Sequence, residues 1–236
     1  MATQTIPRWV LLVNKFNVLF SQDLLGGKKF IKLAWSINSH KVLTAFVVFA
    51  LMLFYDNFST AAFVYLALHG SYGLCWLFKH FTFPDLKWET KVTLSGAIFT
   101  FILLATYWIA PFLLISRPEA SIVPDWFLAF CIALHTLGVV IMLSADCQKH
   151  FSLKYHKALI TEGVFRYSRH PNYLGEMMIY SSYALLAQHW LPWIVLAYWW
   201  LSVFLVNMLM AESSLSRYPE WISYKKKTSF LIPGII

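Results

Sequence analysis

The chain has 236 residues, 59% of them hydrophobic and only 13% charged, with a mean hydropathy of +0.59. That balance excludes a soluble globular or disordered protein and points to a polytopic membrane protein of one domain. The net charge of +8 comes from basic residues in short segments between apolar runs, which fits topology and anionic headgroups and not a nucleic-acid face.

In chain order, residues 7–25 place Trp9, Leu11, Leu12, Phe16, Leu19 and Phe20 around Lys15 and Asp23, which predicts an amphipathic helix at the interface or a lead-in to the bundle. The same two charges interrupt any signal-peptide pattern. Lys28, Lys29 and Lys32 follow Gly26-Gly27, and Lys41 opens a first span over 42–55, short for a bilayer unless its flanks join it. A second span over 57–78 contains His69 and Tyr72. A third over 92–116 contains no charge, and a fourth over 126–145 contains His135, expected to be a satisfied packing histidine. The run 177–211 is too long for one crossing, and Gln188-His189-Trp190-Leu191-Pro192 predicts the turn of a helical hairpin. The expected fold is all-α, a bundle of about six transmembrane helices with interfacial helices. It forms a single integral membrane domain, with an interfacial segment over 1–41, substrate-side helices over 42–145 and a cofactor-binding half over 146–236.

Charge between the spans is uneven. The 28–41 loop holds four lysines, and the 79–91 loop holds Lys79, Lys87 and Lys91. The 146–170 loop holds Lys149, Lys154, Lys157, Arg166 and Arg169, and the tail holds Lys225 to Lys227. The turns near Asp56, 117–125 and 188–190 are poor in Lys and Arg. Six alternating spans then put both termini and the 146–170 loop on the cytosol-equivalent side, where soluble nucleotides are found. The endoplasmic reticulum membrane is the first expectation, with another organellar or a bacterial inner membrane as alternatives. Cys75, Cys131 and Cys147 are scattered, without metal or disulfide spacing.

The most informative stretch is Arg169-His170-Pro171-Asn172-Tyr173-Leu174-Gly175-Glu176. Five polar side chains at the mouth of an apolar helix are costly without partners. Pro171 suits the first helical turn, whose free N–H groups and positive dipole end suit an anion, phosphate first. The bland alternative is a capping turn with Arg169 snorkelling to headgroups. Glu212, at the end of a long apolar run, calls for a partner such as Arg169 or Arg217.

Around that stretch stand Gln148-Lys149, Gly163-Val164-Phe165-Arg166-Tyr167-Ser168, Glu212, Tyr218, Tyr224 and Lys227-Thr228-Ser229-Phe230-Leu231-Ile232-Pro233. This order resembles the C-terminal half of membrane reductases of the steroid 5-alpha-reductase and sterol-reductase superfamily. More distantly it is similar to isoprenylcysteine carboxyl methyltransferases and phospholipid methyltransferases. The resemblance covers about residues 146–236. It implies that Arg169, His170, Asn172 and Tyr173 contact NADPH with Glu176 beside them, and that Lys149, Arg166, Tyr218 and Tyr224 add contacts to phosphate or ribose. In the methyltransferase branch the same positions would hold S-adenosylmethionine. The surplus of Lys and Arg around the motif favours the phosphate-bearing cofactor. Steroid reductases protonate an enone with a Tyr and a nearby Glu, so Tyr72 is the expected donor, with Glu89 or His69 as its partner. The expected reaction is NADPH-dependent reduction of a carbon–carbon double bond in a lipid drawn from the bilayer. The alternatives are a methyltransferase and a non-catalytic subunit of a membrane complex; neither metal nor nucleic acid is expected.

Overall fold

Lipid offers no hydrogen bonds, so a segment that crosses it must satisfy its backbone internally. Helices do this along almost the whole chain. The computed structural model describes residues 5–117, 119 and 122–235. Helix α1 (Arg8–Val18) continues through a π-helical turn, Leu19–Asp23, and α2 (Leu33–Phe54) and α3 (Thr60–Thr82) follow. Next come α4 (Leu94–Ala105) and α5 (Ile109–Ile115), joined through a 3-10 turn at Thr106–Trp108. Then follow α6 (Asp125–Tyr155), α7 (Pro171–Leu186), α8 (Trp190–Trp199), a π-helical turn at Trp200–Phe204, α9 (Leu205–Leu215) and α10 (Trp221–Lys227). Among the described residues, five segments are long and apolar enough to cross a membrane: Leu33–Phe54, Thr60–Thr82, Leu94–Ile115, Asp125–Tyr155 and Trp190–Leu215. The protein is an all-α polytopic membrane bundle.

Local chemistry sets the ends of these helices. Ser59 and Thr93 cap α3 and α4 by accepting the Ala62 and Gly96 amides, at 3.3 and 3.1 Å. Two short strands, β1 (Ile31–Lys32) and β2 (Lys91–Val92), pair antiparallel with Ile31 opposite Val92, tying the start of α2 to the start of α4. The predicted hairpin turn lies between α7 and α8, where Gln188 takes a left-handed φ of 46°.

Two expected boundaries are corrected. The first span starts at Leu33 and not at Val42, so Lys41 lies inside α2, buried, instead of ending a basic loop. The fourth helix runs on to Tyr155, so Lys149 and Lys154 stand on a helix and not in a loop. Neither 33–41 nor 146–155 contains a Gly or Pro breaker, and the 31 residues of α6 make a helix of roughly 46 Å, which outruns a bilayer core of about 30 Å. The expected fifth crossing, the first arm of the hairpin, is α7, only 16 residues long and starting in the polar stretch at Pro171.

Small residues set the close packing. A Cβ on Gly175 would lie 2.6 Å from the Gly138 carbonyl oxygen and 2.6 Å from the Met142 amide nitrogen, so α6 and α7 touch backbone to backbone. A Cβ on Gly73 would lie 2.7 Å from the Lys41 carbonyl oxygen, which brings α3 equally close to α2. Gly175→Ala is expected to destabilise the detergent-solubilised protein by about 1–3 kcal/mol in thermal melts. Gly70→Ala, whose Cβ would make an ordinary 3.6 Å contact with Ala45, is expected to be neutral or slightly stabilising.

Candidate functional site

The polar stretch enters α7 with Pro171 in the first turn and His170 at the N-cap, and no side chain caps the helix start among the described residues. Arg169 does not reach outward. Its Nε lies 2.5 Å from Glu212 Oε1, and its Nη1 donates to the Thr228 carbonyl at 2.5 Å and to the Lys225 carbonyl at 3.3 Å. Glu212 also meets Lys225 Nζ at 3.3 Å and His170 Nε2 at 3.8 Å. The tail then runs beside the motif: the Arg169 amide donates to the Ser229 carbonyl at 2.9 Å, and the Ser168 hydroxyl donates to the Leu231 carbonyl at 2.7 Å. Tyr224, on α10, donates to the Phe165 carbonyl at 2.7 Å, and burial pushes its phenol up to about 12. Gln148 closes the other side, bonding the Glu162 carbonyl and the Val164 amide at 2.8 and 3.1 Å. Gly163, at φ +59°, leaves no room there for a Cβ.

Beyond this clasp, α7 forms one wall of a cavity of about 120 Å³. Asn172, Tyr173, Glu176 and Tyr180 line it from α7, Lys41 from α2 and Lys79 from α3. Asp146 lines it from α6, Val203 and Phe204 from the π-helical turn, Asn207 from α9, and Asp85, Lys87 and Trp88 from the loop after α3. π-helical turns often mark functional sites; this one presents Phe204 edge-on to Tyr173 at 5.1 Å. At the mouth Lys79 pairs with Asp146, and Lys87 Nζ donates to Asn207 at 2.9 Å. At the inner end Lys41 Nζ donates to the Tyr180 hydroxyl at 2.6 Å. Tyr180 in turn stacks on Tyr107 at 4.1 Å. A groove of about 550 Å³ shares Lys79, Asp85 and Asp146 with the cavity and adds Lys149, His150 and Lys154. A separate depression of about 930 Å³ is lined by Lys157, Glu162, Arg166, Tyr218, Glu220, Tyr224 and Lys227.

The residues singled out from sequence are therefore divided. Asn172, Tyr173 and Glu176 share the inner cavity, and Lys149 stands in the adjoining groove. Arg166, Tyr218 and Tyr224 share the separate depression. Arg169 and His170 line none of the three: a buried carboxylate at the end of α9 draws the guanidinium inward, as the alternative pairing of Glu212 anticipated. Tyr72 lies fully buried behind the cavity wall, under Lys41, with its ring edge-on to that of Tyr180 at 5.9 Å. Glu89 is not brought to it. Tyr72 stands ten residues before the end of α3, roughly 15 Å along the axis, whereas Glu89 pairs with Lys32 at 2.6 Å beyond that end. His69 lies nearer, with its ring 6.5 Å from that of Tyr72, but its Nδ1 faces the Tyr65 hydroxyl at 3.2 Å and its ring stacks on Tyr183 at 4.2 Å. His135 is held by Tyr183 at 3.0 Å, as expected of a packing histidine. Sequence reasoning missed Lys41, Tyr180, Asp85 and Asn207. For Lys41 the available signal was the unbroken run from Leu33, which already made a full-length helix.

Removing Arg169 would leave the buried Glu212 with the half-exposed Lys225 at 3.3 Å and the His170 imidazole at 3.8 Å in place of its guanidinium partner, so Arg169→Met is expected to cost about 3–5 kcal/mol. Arg169→Met with Glu212→Met should recover part of that in chemical denaturation. Burial pushes the His170 imidazole below its ordinary value of 6.5, and the Glu212 carboxylate offsets only part of this. The unfolded chain then takes up the proton first, so stability present above about 6.5 is lost as the pH falls below it. Thermal melts between about pH 7.5 and 5.5 should show this slope, and His170→Asn should reduce it.

Residues 21–229 match the model of a family described as a protein of unknown function, DUF1295. A Delta(14)-sterol reductase of the bacterium Methylotuvimicrobium alcaliphilum is 28% identical over 193 residues, covering 71% of this chain and 39% of that protein. An uncharacterized protein of the yeast Schizosaccharomyces pombe is 43% identical over 56 residues, covering 24% of this chain and 19% of that protein. The chain thus spans well under half the length of these relatives. With its motif, its helices and nine-tenths of its length matched, the chain belongs to the DUF1295 family, within the steroid 5-alpha-reductase-like group of membrane proteins.

Proposed function

We propose that this protein is an NADPH-dependent membrane reductase that adds hydrogen across a carbon–carbon double bond of a lipid. The observation that carries the reading is the inner cavity. Its wall is the Asn172–Tyr173–Glu176 face of the matched motif, and its far end is a buried Lys41–Tyr180 pair. The donor set suits a phosphate-rich dinucleotide: Lys149, His150 and Lys154 line the groove that runs into this cavity. NADPH, when bound, supplies a hydride. In this reading Lys149 and Lys154 hold its phosphates, Asn172 and Tyr173 orient its reactive end, and Phe204, Trp199 and Tyr107 keep water from the cavity. Arg169 acts one step back, by fixing the start of α7 against Glu212. Arg166, Tyr218 and Tyr224 rim a further depression that would take an outlying part of the same cofactor. The resemblance to a sterol reductase supports a lipid substrate, entering from the bilayer side of α2 and α3.

The methyltransferase alternative needs an aromatic or acidic site for a sulfonium cation. The aromatic cage beside the cavity, made by Tyr72, Trp76 and Tyr180, already holds a cation of the chain itself, Lys41. That favours the reductase.

Thermal melts of the detergent-solubilised protein test the cofactor. NADPH is expected to raise the melting temperature, and S-adenosylmethionine is expected to leave it unchanged. Lys149→Glu with Lys154→Glu should weaken NADPH at least about tenfold, since each charge-assisted bond is worth about 1.5–3 kcal/mol. A shift with S-adenosylmethionine alone would overturn the reductase reading in favour of methyl transfer. An NADPH shift without turnover of any lipid enone or sterol would favour a non-catalytic subunit.

A further inference from the structure

The inner cavity is small for a ligand site. At about 120 Å³ it falls below the roughly 300–1,000 Å³ of an ordinary pocket for a small molecule or cofactor. The adjoining groove, at about 550 Å³, is of ligand size. One short segment stands between the two. Pro84, Asp85 and Leu86 line the groove, while Asp85, Lys87 and Trp88 line the cavity, so residues 84–88 form a partition with a face in each. Every other residue lining the cavity belongs to α2–α9 or to the 3-10 and π-helical turns within their spans.

This partition is anchored at its two ends. At one, the Phe83 amide donates to the Lys79 carbonyl at 2.9 Å and completes α3. At the other, the Leu33 amide donates to the Thr90 carbonyl at 3.0 Å, and Glu89 pairs with Lys32 at 2.6 Å. Between the anchors the segment is stiffened by its own bonds. The Asp85 carboxylate accepts the Lys87 amide at 2.9 Å and the Asp85 carbonyl accepts the Trp88 amide at 3.0 Å, around a 3-10 turn at Leu86–Glu89. Its ties to the facing helices are few. The Pro84 carbonyl meets His150 Nδ1 at 3.3 Å on the groove side, and Lys87 Nζ donates to Asn207 Oδ1 at 2.9 Å across the cavity mouth. Leu86, 77% exposed, adds little packing. The Lys79–Asp146 pair joins α3 to α6 and does not involve the turn. Asn207 also bonds the Tyr173 side chain, so the tie from Lys87 ends on the wall that carries the matched motif.

We propose that residues 84–89 are a lid: the turn swings out as a unit about Pro84 and Thr90 and joins the cavity to the groove, and the Lys87–Asn207 hydrogen bond is the latch that holds it shut. The opened site takes one ligand across both parts, with its phosphates among Lys149, His150 and Lys154 and its reactive end against Asn172 and Tyr173. A single hydrogen bond at an exposed position has a modest net strength, so the latch opens and recloses readily. Closed again over a bound ligand, the turn keeps water from the reactive end. The lid follows from the two volumes and the tethers; the identity of the ligand as a dinucleotide rests on the reductase reading.

Cysteine labelling tests the lid without turnover. Val203, on the π-helical turn, lines the cavity. The purified protein in detergent, carrying Val203→Cys, is exposed to iodoacetamide, a small neutral reagent, and modification at position 203 is followed by peptide mass. Labelling is expected to be slow with the latch intact. Asn207→Leu or Lys87→Met removes the latch and should speed it about five- to tenfold. Asn207→Asp offers Lys87 a carboxylate and should slow it. Saturating NADPH should slow it in every variant. Cys131, buried on α6, reports general loosening and should stay unlabelled throughout. If Val203→Cys does not fold, Leu104→Cys on α4 faces the same cavity and replaces it. Equal rates with Asn207→Leu and Asn207→Asp, or labelling of Cys131 in step with position 203, would overturn the lid. Rates that follow the latch without protection by NADPH would keep the lid and remove the reductase reading. Protection by NADPH at rates blind to the latch would do the reverse.

Discussion

The buried pair between Arg169 and Glu212 is the interaction around which the C-terminal half is arranged. Neither charge can be left alone where it stands, because both side chains are almost wholly buried. Their pairing fixes the end of α9 to the start of α7. The remaining donors of the guanidinium then take up the carbonyls of Thr228 and Lys225. The tail is thereby laid along residues 167–169, where Ser168 and Ser229 form a parallel bridge. One ion pair thus sets the entry angle of α7, and with it the direction in which Asn172, Tyr173 and Glu176 face.

A second constraint comes from glycine. α6 meets α7 at Gly138 and Gly175, and α3 meets α2 at Gly73, in each case with backbone where a side chain would otherwise stand. The α6–α7 contact sets α7 at a fixed height against the bundle. The α3–α2 contact brings the α3 backbone against the Lys41 carbonyl, which puts the Lys41 side chain within the aromatic cage of Tyr72, Trp76 and Tyr180. The inner cavity lies between these two contacts, and it is closed above by the Lys87–Asn207 bond and the Lys79–Asp146 pair. Polar groups are concentrated on its wall, while the opposite faces of the same helices carry exposed Phe, Leu and Trp, as lipid-facing surfaces do.

Much of the fold was legible because its signals are local. The hairpin turn at 188–192 announced itself by polarity and Pro192, and the N-terminal helix by the spacing of Trp9, Leu12 and Phe16. The charge-free third span needed only its length. Boundaries failed where a charge was taken as a stop. Lys41 and Lys149 both lie within helices, because nothing in their backbone surroundings breaks one. The motif itself was legible at the level of residue type. Asn172, Tyr173 and Glu176 do line the cavity, whereas Arg169 does not, because its partner lies 43 residues further on and on another helix.

The sequence alone determined what depends on neighbours in the chain: an apolar all-α membrane protein, the limits of most helices, and a polar helix start of a recognisable family. Hydropathy, capping and motif spacing act over a few residues, so they can be read along a line. Only the tertiary structure decided which partner each charge finds. Arg169 and Lys41 are indistinguishable as basic residues near apolar runs. Glu212 consumes the first, and Tyr180, 139 residues away, is the only hydrogen-bonding partner of the second among the described residues. A charge inside a membrane is expensive until it is paired, and its partner is chosen by helix packing, which no local stretch of sequence records.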